Sequence, residues 1–298
     1  MAVAIPFRRE FAFEYGKLEP VAPGIRRIVA NNPGPFTFRG TGTYVIGQGD
    51  VAVIDPGPDL PEHVDALLAS LAGERITHIL VTHTHRDHSP AAAAMKAATA
   101  APTYGFGPHG GTRGLPGIEE GGDWDFVPDI VAKDGDQIVG RGWRFEAVHT
   151  PGHTSNHLCF ALPDQGILFS GDHVMGWSTS VIAPPDGDMA AYMASLDKLL
   201  RRGDSVYWPT HGPAITEPKE HVRAFIAHRR EREAGVVACL EAGVGRIDAM
   251  VERLYVGLNP NLKRAAGRSV LAHLIDLVNR GIVKTDSPPS VDATYRLS

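Results

Sequence analysis

Residues 81–90 read VTHTHRDHSP, which sets His83, His85, Asp87 and His88 within six positions. Neutral imidazole and carboxylate are ligands for zinc and neighbouring first-row metals. In an extended segment alternate side chains share one side, so His83 and His85 can face one ion together. Asp87 and His88 are adjacent, so the chain must turn there, and the pair can face a second ion. Two ions sharing a site need an anionic bridge, and Asp172 in FSGD is the candidate. The chain has 14 histidines, which scattered at random would seldom give this spacing. His149 and His153, His173 and His211 lie at the ends of further expected strands. Their distribution predicts convergence on one edge of a sheet.

The elements that must position these groups follow from periodicity. IRRIVA (25–30), TYVIG (43–47) and VAVIDPG (51–57) have strand length and β-branched content, and GQGD (47–50) reads as a hairpin turn. PEHVDALLASLAGE (61–74) has helical spacing, and ITHILVTH (76–83) is a buried strand. Ser89 is expected to cap, and Pro90 to open, a helix over SPAAAAMKAATA, so the 83–88 segment is a strand-to-helix loop. GFGPHGGTRGLPGIEEGGD (105–123) predicts a long irregular loop, either a surface excursion or a flap beside the site. WRFEAVHTPGH (143–153), NHLCFAL (156–162) and GILFSGD (166–172) restore the strand pattern. A helix around 188–202 and a last strand with its loop, SVYWPTHGP (205–213), follow. The strand-rich halves on either side of residue 125 are expected to form related layers.

From residue 219 the character changes to three amphipathic helices and a short extended piece, IVKTD, which predicts a winged-helix-like module. Two domains are expected, 1–218 and 219–298, in an α/β chain. The first carries 16 Lys and Arg against 25 Asp and Glu, and the second 13 against 9. That mildly basic tail permits an anionic partner without specifying one. Cys159 and Cys239 are too few for a disulfide framework and read as buried small hydrophobes. No signal-peptide run and no membrane span stand out, so a cytoplasmic protein with no membrane partner is expected.

These residues resemble the metallo-β-lactamase superfamily, whose motifs occur here in order: VIDPG with Asp55, THTHRDH, HTPGHT with His153, SGD with Asp172, and THG with His211. Within it, NNPGPFTFRGTGTY (31–44), SGDHVMG, YMASL, HRRERE and SVLAHL are similar to the β-lactamase-like protein 2 group, which includes an endoribonuclease. The resemblance implies an αββα sandwich followed by a small winged-helix-like domain. It implies that His83, His85 and His153 hold one metal and that Asp87, His88 and His211 hold another. Asp172 would bridge the two, and Asp55 would orient a ligand histidine or the 83–88 loop. His149 and His173 match no ligand position. Two departures are Gly42 within Thr41-Gly42-Thr43-Tyr44, where the family usually has Asn, and Pro209 ahead of Thr210-His211.

The chemistry so implied is hydrolysis by a hydroxide shared between two divalent ions, with Asp87 and Asp172 catalytic and zinc ahead of manganese or iron. Single-stranded RNA is the first expected substrate, and a small-molecule or carrier-bound thioester, of the glyoxalase II or carrier-protein thioesterase type, is the second. An iron persulfide dioxygenase and a non-catalytic nucleic-acid binder rank lower. Lys263, Arg264 and Arg268 are the basic residues an RNA reader would use. The alternative role for residues 219–298 is packing, over the site or as a homodimer interface. Ser178, Thr179 and Tyr192 are candidates for the pocket wall, and none is assigned to catalysis.

Overall fold

The computed structural model describes residues 4–111 and 121–298. Two sheets stack face to face. The first has seven strands in chain order: β1 (Glu19–Ala22), β2 (Ile25–Val29), β3 (Gly42–Gln48), β4 (Asp50–Ile54), β5 (Arg75–Leu80), β6 (Thr103–Gly105) and β7 (Ile130–Val131). The second runs β12 (Val206–Pro209), β11 (Ile167–Gly171), β10 (Leu158–Leu162), β9 (Trp143–His149), β8 (Gln137–Gly140). The change of layer after residue 131 matches the two expected halves. Residues 112–120, the middle of the expected 105–123 loop, lie outside the described residues.

Strand alternation decides what each sheet faces. Tyr44 and Ile46 of β3, and Ala52 and Ile54 of β4, point into the core between the sheets, where they meet Phe145, Phe160 and Phe169. Their neighbours Val45, Val51 and Val53 point outward onto Val64, Leu67 and Met95. Those three come from α1 (Pro61–Ser70) and α2 (Ala91–Thr99). On the other sheet Leu158 and Phe160 face inward, while Cys159 and Ala161 face α3 (Met189–Leu200) through Tyr192 and Leu196. Both faces of each sheet are buried, which is why VAVI and LCFAL read as continuous apolar runs. A one-residue slip would exchange the two faces, so register is strongly set.

Ser89 does not cap α2. Its hydroxyl donates to Asp123 Oδ2 at 2.6 Å instead, and Pro90 takes the cap position without a side-chain bond. The cap of α3 is Asp188, which accepts from the Ala191 N–H at 2.8 Å.

The C-terminal part consists of α4 (Pro218–Glu241), α5 (Ile247–Leu254), α6 (Lys263–Asn279) and a two-stranded wing of β13 (Val283–Thr285) and β14 (Tyr295–Leu297). The first half of α4 gives Val222, Phe225 and Ile226 to the core over the second sheet. Its second half gives Val236, Cys239 and Leu240 to the winged-helix core around Met250, Leu274 and Tyr295. One 24-residue helix therefore spans two hydrophobic cores. Among the described residues no helix is long and apolar enough to cross a membrane.

Candidate metal centre

Every candidate ligand sits where a strand has just ended. Asp55 follows β4, the 83–88 segment follows β5, His153 lies in the β9–β10 turn, Asp172 follows β11 and His211 follows β12. Strand ends release the backbone from its ladder, so turns there can aim side chains at a common point. The Leu158 N–H donates to Thr82 O at 2.7 Å, which ties the two sheets together beside the loop.

His83 Nε2 lies 3.0 Å from His85 Nδ1, and His153 Nε2 lies 3.1 Å from the same atom. The nearby second set has Asp87 Oδ2 at 3.0 Å from His211 Nε2 and 3.2 Å from His88 Nε2. Asp172 Oδ2 is 3.4 Å from His211 Nε2 and 3.7 Å from His88 Nε2. Ligand atoms on a tetrahedral ion about 2.0–2.1 Å away sit at comparable mutual spacing. The groups His83–His85–His153, His83–His88–Asp172 and Asp87–His88–His211 could each hold an ion, and all seven residues are buried. His83 and His88 each belong to two of these groups.

The outward nitrogens settle which ring atom faces inward. His88 Nδ1–H donates to Asp55 Oδ2 at 2.9 Å, His153 Nδ1–H to Val181 O at 2.6 Å, and His211 Nδ1–H to Gly40 O at 3.1 Å. His83 Nδ1–H donates to Thr82 Oγ1 at 3.1 Å, and that hydroxyl donates in turn to Asp55 Oδ2 at 2.8 Å. Such partners fix the tautomer that leaves Nε2 for a metal. Asp55 also accepts from the Thr82 N–H and the Thr210 hydroxyl, so it holds both His88 and the 83–88 loop.

The carboxylates of the cluster hold positive charge close to them. Burial opposes ionisation of Asp87 and Asp172, yet the imidazoles of His88 and His211 hold both carboxyls well below the usual range. Against the same burial, the carboxylates push His88 well up and His211 to about 10. His83 is held down by burial and by the surrounding imidazoles, so its lone pair stays available. Asp87 Oδ1, Asp172 Oδ1 and His88 Nε2 are buried without a hydrogen-bond partner. Leaving buried polar atoms unpaired costs about 1–3 kcal/mol each, which metal coordination would offset. The residues fit a pair of ions.

Several supports were not singled out from sequence. His157 is fully buried; its Nδ1–H donates to Thr150 Oγ1 at 2.9 Å and its Nε2 accepts from the Asp172 N–H at 3.2 Å. Gly171 has φ +51°, and a Cβ there would sit 2.6 Å from His157 Nε2, so SGD needs its glycine. Asn32 Nδ2 donates to Thr41 Oγ1 at 2.9 Å, and that hydroxyl donates to Asp87 Oδ2 at 3.3 Å. Gly42 has a local reason to lack a side chain: its N–H donates to Thr210 O at 2.8 Å, and a Cβ would lie 3.0 Å from that oxygen.

Other candidates fall elsewhere. His149 stacks on Phe106 with 3.8 Å between ring centroids, away from the centre. His173 is buried against Tyr192, whose hydroxyl donates to the His173 carbonyl, so Tyr192 is a core residue and does not line the pocket. Ser178 and Thr179 do line it. Lys263 pairs with Glu252 at 2.5 Å and Arg268 reaches Pro184 O at 3.3 Å. The ligands open into a cavity of about 300 Å³ that lies between the sandwich and the C-terminal part. Phe36, Met175 and Trp177 form one wall, and Tyr255, Leu258 and Leu262 form the roof.

Comparison with known proteins agrees with this architecture. A family model described as metallo-beta-lactamase superfamily matches residues 37–211, and one described as beta-lactamase associated winged helix domain matches 247–288. The lactamase-like protein adaB of Aspergillus niger is 30% identical over 266 residues, spanning 84% of this chain and 77% of its own. An atrochrysone carboxyl ACP thioesterase of Aspergillus terreus is 30% identical over 226 residues, spanning 75% of this chain and 65% of its own. The crystal structure of a beta-lactamase domain protein from Burkholderia ambifaria shares the fold, with TM-score 0.79 at 19% identity over 99% of this chain and 97% of that one. The sandwich, the strand-end cluster of His and Asp and the appended winged helix thus have one explanation: the chain belongs to the metallo-β-lactamase superfamily and has its hydrolase fold.

Proposed function

We propose that the protein is a thioester hydrolase that releases an acyl group from a carrier thiol. The observation that carries this reading is the cavity, where Phe36, Met175 and Trp177 from one part of the chain and Tyr255, Leu258 and Leu262 from the other set apolar surface beside the candidate ligands. Such a space suits an acyl body, which gains by leaving water. RNA would require a basic, aromatic-interleaved surface. Lys263, Arg264 and Arg268, the residues expected to read RNA, do not line the cavity, although Arg229 and Arg232 do, and the thioester reading is taken ahead of the RNA reading placed first on sequence grounds. The relative named as an ACP thioesterase supports the same choice.

In this proposal His83, His85 and His153 would hold one ion, Asp87, His88 and His211 would hold the other, and Asp172 would serve both. When bound, the ions, zinc by preference and manganese or iron in its place, would supply Lewis acidity and activate water. The chain's own groups do the rest. Asp87 Oδ1, without a hydrogen-bond partner, is the oxygen free to orient the attacking water. His157, through the Asp172 N–H, keeps that carboxylate in place. The roof excludes bulk water and holds the acyl chain beside the ligands. Water adds to the thioester carbonyl, the C–S bond breaks, and a carboxylic acid and a thiol leave.

Thiol release from an acyl N-acetylcysteamine thioester tests the proposal. Metal-loaded protein is expected to release thiol, and Asp172→Ala protein prepared identically is expected not to. Cleavage of unstructured single-stranded RNA by the wild type alone, with no thiol release, would restore the RNA reading.

A further inference from the structure

Two arginines face the cavity, and among the described residues neither pairs with a carboxylate. Arg229 and Arg232 of α4 both line it. Arg229 is 4% exposed, donates from Nη2 to Ser180 O, lies over the Tyr192 ring and leaves its buried Nε without a partner. Arg232 donates from Nη1 to Leu254 O at 2.8 Å and from Nε to His228 Nε2 at 3.3 Å, with its guanidinium over the Tyr255 ring. Among the described residues neither has an Asp or Glu at ion-pair distance. Arg26 and Arg202, by contrast, pair with Glu74 at 2.5 Å and Asp204 at 2.7 Å, while Arg27 lies over the Phe11 ring and Arg268 donates to Pro184 O.

The neighbouring histidines register the charge of the two arginines. Burial, then the charges of Arg229 and Arg232, holds His228 down to about 4. Burial and the same two arginines, with His228, hold His273 down to about 3. A buried guanidinium cannot shed its proton, and an uncompensated buried charge is costly. A wall built this way is complete only when an anion arrives with the ligand.

The position of the wall indicates which part of the ligand carries that anion. Ser180, whose carbonyl Arg229 holds, donates its hydroxyl to Asp172 O at 2.6 Å and His173 O at 2.9 Å. A single residue therefore separates Arg229 from a candidate metal ligand. That closeness matches an anionic group on the acyl side, a few atoms beyond the thioester carbonyl, better than the phosphate of a phosphopantetheine arm, which lies a full arm's length from the thioester sulfur.

We propose that Arg229 and Arg232 recognise a carboxylate on the acyl group, so that the preferred substrates are half-thioesters of dicarboxylic acids with an apolar body. This assignment rests on the thioester reading. Adipoyl and hexanoyl N-acetylcysteamine thioesters form a matched pair, differing by a terminal carboxylate in place of a methyl. Metal-loaded full-length protein is expected to show kcat/KM for adipoyl about ten- to hundredfold above hexanoyl, the range for desolvated charge pairs. Arg232→Gln is expected to remove that preference or invert it, and Arg232→Lys to keep part of it.

Calorimetry of adipate against hexanoate with the metal-free full chain gives a readout without turnover, with adipate expected to bind more tightly. Should Arg232→Gln misfold, Arg229→Lys takes its place, with a smaller expected preference. Hexanoyl hydrolysed as fast as adipoyl, with the two acids bound equally, would overturn the arginine site and leave the thioester reading standing. Hydrolysis of neither thioester would overturn that reading and the substrate assignment with it.

Discussion

His88 Nδ1 lies 2.9 Å from Asp55 Oδ2, and this contact links the end of one strand to the ligand cluster that follows the next. Asp55 is wholly buried, and its carboxylate accepts four hydrogen bonds, two from Thr82 and one each from His88 and Thr210. It turns His88 Nε2 inward and at the same time braces the backbone ahead of His83.

Asp55→Asn isolates that function. Asp55 has φ +48°, a conformation Asn tolerates, so the backbone can stay as it is. The new amide would point donors at donors. Metal affinity is expected to fall about 10–100-fold, the usual effect of losing a residue that orients a ligand. The metal-free protein is expected to lose about 1–3 kcal/mol. Metal titration and denaturant unfolding of the stripped protein would read the two effects separately, and unchanged affinity would remove Asp55 from this role.

His157→Phe keeps a ring of similar shape but leaves the Asp172 N–H and the Thr150 hydroxyl without their partner. The expected outcome is weaker metal binding, again by about 10–100-fold. A variant that only unfolds more readily, with metal binding intact, would make His157 a packing residue.

Acid sensitivity should come from histidines remote from the ligands. Burial lowers His63 to about 4 and, with the nearby arginines, His273 to about 3. Both are neutral in the folded chain but protonate near 6.5 when it unfolds. Their contribution is therefore fully present above pH 6.5 and is lost as pH falls toward 4 and 3. Each buried histidine adds a slope of about 1.4 kcal/mol per pH unit in that window. Denaturant unfolding at pH 7 and pH 5 should show the loss, and His273→Leu should flatten it by one proton's worth. An unchanged slope in that variant would contradict the assignment.

The roof gives a prediction of another kind. Leu262 is partly exposed and lines the cavity, so Leu262→Asp should spare stability while placing a charge where the acyl body lies. A decrease in kcat/KM of about tenfold is expected for an apolar acyl thioester. Steady-state kinetics beside a melting curve checks both halves.

The meeting of the candidate His and Asp residues was legible in the sequence because their spacing is local. THTHRDH needs only a strand end and a turn, and HTPGH, SGD and THG each repeat that arrangement. The strands β3, β4 and β10 were legible as short apolar runs, but not which face each of their residues takes. His157 was not, because its value lies in a contact with the Asp172 N–H that only the paired strands create. Ser89 looked like a cap until Asp123, 34 residues on, took its hydroxyl. That residues 219–298 could pack over the site was expected, but not which of them line the cavity. An amphipathic helix shows that it has an apolar face but not which neighbour that face meets, and α4 meets two. Cutting the chain at residue 218 would thus remove Phe225 and Ile226 from the core of the sandwich. It would not cleanly separate a reader module from a catalytic one.

The most direct test of the central claim is to titrate zinc into metal-stripped protein while following bound metal per chain and thiol release together. Hydrolysis is expected to appear with metal, to reach its plateau at two ions per chain, and to be absent from Asp172→Ala at every ratio. Thioester hydrolysis by the stripped protein, or full activity in Asp172→Ala, would contradict that claim.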